Sequence, residues 1–246
     1  MQATSSTIWW AVNSELVFEA GGRTAALEVT VSPRARVMRL KVDPRTGAVV
    51  LTLPRRMSRR KALEWAAGHR SWIERQLARV PAAMPLGAGA NLPLRDRPHV
   101  VDWDPARSRV VRLEEGRIVA GGPAEGLEGR LLRWLRRQAL ELMSAETQEF
   151  AAKAGVRVTR VAVGDPLSRW GSCSSSGAIR YSWRLLLAPD FVRRATVAHE
   201  VAHRVHMNHG PEFHALVREM VGPDDKLARL WLRRNGASLH RIARRA

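Results

Sequence analysis

Cysteine is almost absent from this chain: Cys173 stands alone among 246 residues. A single thiol excludes a disulfide framework and suits a reducing compartment, so a cytoplasmic protein is expected. No run approaches the ~20 apolar residues that a membrane-spanning helix needs, so no membrane partner is expected. Met1 to Trp10 offers neither a basic leader nor a long apolar stretch, which argues against secretion. Tyrosine occurs once, at Tyr181, and acidic residues are few. The 23 Asp and Glu face 41 Lys and Arg, a formal net charge of +18. Arginine supplies 37 of those 41, which fits GC-rich coding as well as function. A surface this basic attracts polyanions, nucleic acid included, through a salt-sensitive field that ignores base sequence. No nucleic-acid fold motif accompanies the charge, so solvated helix faces are the plainer account.

What is present is a well-patterned globular chain. Hydrophobic content of 45% over this length can fill one large core or two small ones. Residues 25–32 and 37–42 read as strands. Asp43-Pro-Arg-Thr-Gly47 is a turn, and Val49, Leu51 and Leu53 alternate on a returning strand, which predicts a β-meander. One helix should follow from a Ser58 cap, burying Ala62, Ala66, Ile73, Leu77 and Val80. The Pro/Gly-rich stretch 81–96 is the best internal connector, and two short strands follow near 98–103 and 109–120. A long helix is predicted from about 124 to 154, with Leu127, Leu131, Trp134, Gln138, Leu142 and Ala145 inward and Gly155 as its stop. Strands near 156–164, 168–173 and 178–187 come next, the last two joined by a Ser174-Ser-Ser-Gly177 hairpin turn. Helices near 211–221 and 224–235, the second stopped by Gly236, complete the pattern.

Four of the eight histidines crowd into Val197 to Pro211. Within that window lies His199-Glu200-x-x-His203. Imidazoles four apart sit on one helix face, near enough to grip one Zn²⁺, and Glu200 beside them is placed to take a proton from metal-bound water. The segment reads as a helix, with Asp190 as the expected cap of its first turn and Phe191, Ala195, Ala198, Ala202 and Val205 recurring at three- and four-residue intervals. His206 shares the face, but seven helical residues carry it about 10 Å from His199, too far for one ion. The third ligand must come from chain that has turned back after Asn208 and Gly210-Pro211. His209 is the expected ligand, with His214, Glu212 and Glu219 as rivals. The spacing His-x3-His-x5-His matches that of metzincin proteases, although their turn glycine is His206 here.

Ser168-Arg-Trp-Gly-Ser-Cys-Ser-Ser-Ser-Gly177, Tyr181-Ser-Trp-Arg-Leu-Leu-Leu-Ala-Pro189, the His199-Glu-x-x-His203 helix and Asn208-His-Gly-Pro-x-Phe213 together resemble the YgjP-like metallopeptidase family. These are small bacterial zincins, distantly related to SprT-like proteases. The resemblance runs from about residue 24 to 236. It implies zinc held by His199, His203 and His209, one ion per chain, with Glu200 as general base. His214 stands where the family pattern has Trp.

The resemblance also implies an α+β chain. A zincin-like catalytic region over 123–236, its zinc helix packed on the long helix and a small mixed sheet, would follow a β-rich region with one helix over 24–122. Residues 1–23 would form an extension and 237–246 a basic tail. In zincins an edge strand beside the zinc helix commonly holds an extended substrate by strand addition. Residues 168–187 are placed to supply it, making Arg169 and Ser172 candidate substrate contacts. Tyr181 and His206 are candidate donors to a developing oxyanion. The leading expectation is a zinc metallopeptidase acting on peptide or unfolded protein. The alternatives are a metal-dependent hydrolase of nucleotide phosphoanhydrides and a nucleic-acid-associated zinc protein.

Overall fold

The computed structural model describes residues 10–12, 15–20 and 23–243. The expectations for residues 1–9 and for Arg244 and Arg245 lie outside them. The chain forms two compact units, Met1–Ala82 and Ala83–Ala246, and is mixed α+β. The 81–96 connector contains the boundary.

In the first unit β1 (Trp10–Val12), β2 (Glu15–Ala20), β3 (Arg23–Ser32), β4 (Arg39–Val42) and β5 (Val49–Pro54) make one sheet in the order β1-β2-β3-β5-β4. The expected meander is therefore corrected. β5 pairs parallel with β3 and antiparallel with β4, lying between them. Composition explains the exchange: Val49, Leu51 and Leu53 are all fully buried, whereas Arg39 and Lys41 of β4 are exposed and suit an edge. β1 and β2 also show that strand structure reaches into the segment read as a patternless extension. The single helix expected after Ser58 is two, α1 (Arg59–Gly68) and α2 (Arg70–Ala78). His69 breaks it with φ −100° and ψ 19°, its Nδ1 lying 2.8 Å from the Trp65 carbonyl. Ala62, Ala66, Ile73 and Leu77 nonetheless share one buried cluster with the sheet.

The second unit opens with β6 (Asn91–Leu94), β7 (Arg97–Asp104), β8 (Arg112–Glu114) and β9 (Arg117–Gly121), ordered β6-β7-β9-β8. α3 (Leu127–Lys153) follows and ends before Gly155, whose φ of +64° is a left-handed stop. Its buried face runs through Leu131, Leu135, Ala139, Met143, Phe150 and Ala151. The predicted stripe drifts off this line after Trp134: Gln138 and Leu142 are only half-buried and Ala145 is exposed. Next come β10 (Arg160–Gly164), β11 (Gly171–Cys173) and β12 (Ala178–Ser182), ordered β10-β12-β11. The hairpin turn forms as expected, Gly177 taking φ +85°. The strand expected to reach 187 instead stops at Ser182 and continues as a 3-10 helix, Trp183–Leu187, that Ser182 caps through its side chain.

Three helices finish the unit: α4 (Asp190–Ala202), α5 (Pro211–Val221) and α6 (Asp224–His240). Gly236 is not a stop. It is buried inside α6 because the Trp170 ring sits where its Cβ would be, 2.8 Å away. Among the described residues no helix is long and apolar enough to cross a membrane.

α4 is buried on nearly every side, so its polar groups need internal partners. Arg193 is 1% exposed and forks onto Glu146 of α3, with Nε to Oε2 at 3.0 Å and Nη2 to Oε1 at 2.8 Å. Its Nη1 donates to Asp190 at 2.7 Å, and Asp190 also receives Arg95. Next to it, Arg194 forks onto Glu149 at 2.7 and 2.9 Å. Replacing Arg193 by Met leaves the buried Glu146 with only Arg194, 3.8 Å away and already forked onto Glu149, and is expected to lower the unfolding free energy by about 3–5 kcal/mol. Denaturant unfolding checks this, and a loss below about 1 kcal/mol would show that the fork contributes little.

Acid should reveal the same cluster. Hydrogen bonds from Arg194 and then Lys153 hold the Glu149 carboxyl at about 2, down from 4.5. The Arg95 hydrogen bond, with Arg193 adding to it, holds Asp190 well below the usual carboxylate range. Folded values below unfolded ones mean stability that is full above the unfolded pKa and lost as pH falls through the folded one. Unfolding free energy is expected to drop between about pH 4.5 and 2, and Glu149→Gln to flatten that slope. An unchanged slope would assign the acid sensitivity elsewhere.

Candidate metal centre

α4 carries His199 and Glu200 in its last turn, and His203 caps its C-terminus. The chain then leaves the helix, and α5 restarts at Pro211. In between, His209 folds back, its Nε2 coming within 3.1 Å of the His199 Nε2. His199, His203 and His209 each offer a ring nitrogen, all lying within 4.8 Å of one another. Phe213, fully buried at the start of α5, fixes this return: its ring centroid lies 4.6–4.8 Å from all three imidazoles.

The arrangement fits a metal better than it fits a hydrogen-bonded trio. Two nitrogens each ~2.0–2.1 Å from a tetrahedral Zn²⁺ would lie roughly 3.3 Å apart, near the separation of the His199–His209 pair. The His203 Nδ1 lies 3.1 Å from the His206 carbonyl, so a proton there leaves Nε2 free to ligate. Burial, reinforced by His203 and His209, pushes His199 down to about 4, and burial also lowers His203. Both rings are then neutral near pH 7, the state a ligand needs.

Glu200 is 6% exposed. Burial pushes its carboxyl up to about 7, against the pull of Arg169. Gly171 of β11 lies directly on it: a Cβ there would stand 2.4 Å from Oε1 and 2.6 Å from Cγ. An isolated glycine in a strand marks such a close approach, which is the signal by which the sequence reading could have found Gly171. A cavity of about 190 Å³ opens alongside, lined by Trp170, Thr196, His199, Glu200, Asp225 and Arg229 among others. A larger cavity, about 610 Å³ and lined by Arg109, Arg130, Arg133 and Arg137, touches none of the three histidines. Volume does not mark the chemistry here; the donor atoms do.

The remaining sequence-predicted residues scatter. Ser172 sits on β11, the edge strand of its sheet, and Arg169 just before it is exposed. Tyr181 is fully buried, and burial raises its phenol above the ordinary range; its hydroxyl bonds the Thr147 hydroxyl at 2.9 Å inside the core. His206 turns its Nδ1 to 3.7 Å from Glu212 Oε2. Of the rival ligands, the His214 ring centroid is 6.3 Å from that of His209, and His214, Glu212 and Glu219 fall outside the three-histidine cluster. Sequence reasoning did not single out Asp225 and Arg229 on α6, because nothing in the chain's pattern says which helix closes the cleft.

Comparison with known proteins agrees with this geometry. A family model described as YgjP-like, metallopeptidase domain, matches residues 36–235. Searches of curated proteins and of solved structures gave no match.

Gly171 tests the packing on Glu200 without requiring any activity. Gly171→Ala is expected to destabilise by about 1–3 kcal/mol through overpacking. In a Glu200→Ala background the same change should cost much less, because the clashing carboxylate is gone. Equal cost in both backgrounds, read by urea unfolding, would place the strain elsewhere.

Proposed function

Because the chain belongs to the YgjP-like metallopeptidase family, a family of metal-dependent hydrolases, we propose that it is a zinc metallopeptidase that cleaves peptide bonds in peptide or unfolded-protein substrates. One observation carries the reading: three imidazole nitrogens converge within 4.8 Å of one another beside a buried glutamate. His199, His203 and His209 would hold one Zn²⁺. When bound, such an ion supplies a Lewis acid that polarises a carbonyl and makes water more acidic.

The chain's own residues do the rest. Glu200 accepts a proton from the attacking water at a carboxylate oxygen and passes it to the departing nitrogen. A carboxyl near 7 suits both halves of that task close to neutral pH. Gly171 keeps the carboxylate seated, since any larger residue would displace it. The free edge of β11 offers main-chain donors and acceptors to an extended substrate, and Ser172 lies on that strand. His206 is the candidate oxyanion donor; Tyr181 already spends its hydroxyl on Thr147. α4 resting on α3 and beside β11 accords with a zincin-like catalytic region.

A second reading has one observation in its favour. Arg169 acts electrostatically on Glu200 and Arg229, itself paired with Asp225, acts on His199, so cations stand near the site and would also receive the phosphates of a nucleotide. The metallopeptidase reading leads because of the edge strand.

Purified protein is expected to contain about one zinc per chain by mass spectrometry. Glu200→Gln should keep that zinc while peptide cleavage falls by about 10²-fold or more. Loss of zinc in the variant would make Glu200 structural and sink the mechanism. Cleavage of nucleoside triphosphates in place of peptides would keep the site and change the substrate.

A further inference from the structure

The three-stranded sheet has two unlike faces. β12 sends Ile179 and Tyr181 into the core, so Ala178 and Arg180 point outward. Register places Ser172 opposite Arg180 on one side and Ala162 opposite it on the other, with Arg160 opposite Ala178. Arg169 enters at the head of β11. Together Arg160, Arg169, Arg180, Ser172, Cys173 and Ser174 contribute to the lining of a groove of about 340 Å³ on this outer face.

Its three arginines make no ion pair with a carboxylate among the described residues. Their neighbours behave differently. Arg184 forks onto Asp165, Arg193 onto Glu146 and Arg194 onto Glu149. Arg180 lies with its stem over Gly164 of β10, Cδ 3.6 Å from where a Cβ would be, which keeps it against the outer face of the sheet. Like charges gathered in one groove repel, and an anion laid among them relieves the repulsion.

The groove adjoins the metal centre through β11. Gly171 rests on Glu200, while the next residue, Ser172, faces the arginines. An extended segment added to the free edge of β11 would alternate its side chains between those two faces. One set enters the cleft at His199 and Glu200; the other falls on the arginine face. We propose that this groove reads acidic residues in the substrate, Asp or Glu at positions alternating with those that enter the cleft. The location of the scissile bond rests on the metallopeptidase reading; the binding preference does not.

The test therefore measures binding apart from turnover. Full-length, zinc-loaded Glu200→Gln protein is titrated into fluorescein-labelled octapeptides carrying Asp, Ser or Lys at alternate positions. The Asp peptide is expected to bind at least tenfold tighter than the Ser peptide and to lose that advantage in 1 M salt, where the Debye length is ~3 Å. Arg160→Glu/Arg180→Glu should invert the order in favour of Lys. Arg180→Gln alone should lower Asp-peptide affinity several-fold should the double variant fold poorly. Equal binding of Asp and Ser peptides, or a preference that survives charge reversal, overturns the proposal. So does a nucleoside triphosphate that binds through these arginines when the Asp peptide does not. Wild-type turnover separates the two readings. Selective binding without Glu200-dependent cleavage keeps the groove and sinks the peptidase; cleavage without charge preference does the reverse.

Discussion

The candidate metal centre depends on a charge pair that is not part of it. α4 is packed on almost all sides, and its register against α3 is set by the fork between Arg193 and Glu146. Removing two charges from water is costly, and the cost is offset only when geometry is good and the remaining donors are used. Here every guanidinium nitrogen of Arg193 has an acceptor: Nε and Nη2 go to Glu146, Nη1 to Asp190. The pair also acts as a key. Seven residues advance an α-helix by about two turns, so Glu200 lies nearly in line with Arg193, while His199 is rotated by roughly 100° from it. Fixing Arg193 against α3 therefore fixes which side of α4 presents the histidine and which buries the glutamate.

Glu146 and Glu200 show how environment divides one residue type between two tasks. Both are 6% exposed. Glu146 faces a guanidinium at hydrogen-bond distance and serves the fold. Glu200 faces a glycine backbone and has only the more remote Arg169 to favour its charge, so burial lifts it to about 7. A carboxylate held in that state is useless as a staple and well suited to proton transfer. The histidines follow the same logic. Phe213 provides an apolar floor against all three rings and brings a loop residue, His209, back to a helix residue, His199.

Much of this could be read from spacing. His199 and His203 are one turn apart because helices repeat every 3.6 residues; excluding His206 for its distance along the axis left His209 preferred over His214, Glu212 and Glu219, and His209 is the one that joins the cluster. Alternation likewise located β3, β4, β5 and β7 and the inward face of β5, but it missed β1, β2 and β6 and read β8 and β9 as one strand over 109–120. It says nothing about which strand lies beside which, so β5 entering between β3 and β4 was not legible, and the meander was the simpler guess. Gly236 misled for a similar reason. A glycine within a helical pattern reads as a stop, but here its missing side chain makes room for Trp170, a contact between residues 66 apart in sequence. The inward stripe of α3 drifted because it followed Gln138, Leu142 and Ala145, whereas the true face is completed by Glu146 and Thr147, polar residues that a hydrophobic pattern skips.

Arginine content was the least informative feature of the sequence and becomes informative once partners are known. A count of 37 cannot separate coding bias from function. Pairing can. Arg184, Arg193 and Arg194 each lock a carboxylate and join elements of the second unit, so their charge is consumed by the fold. Arg160, Arg169 and Arg180 carry equal charge on a neighbouring surface and make no ion pair among the described residues, Arg169 acting on Glu200 only through its field. Unpaired arginines occur elsewhere too, as Arg109, Arg130 and Arg133 around the larger cavity show; what distinguishes Arg160, Arg169 and Arg180 is their place on a sheet whose edge strand rests on a buried glutamate. A net charge of +18 spread evenly would attract any polyanion weakly and everywhere. Unpaired charge concentrated on one face of a sheet would instead draw an anion to that face.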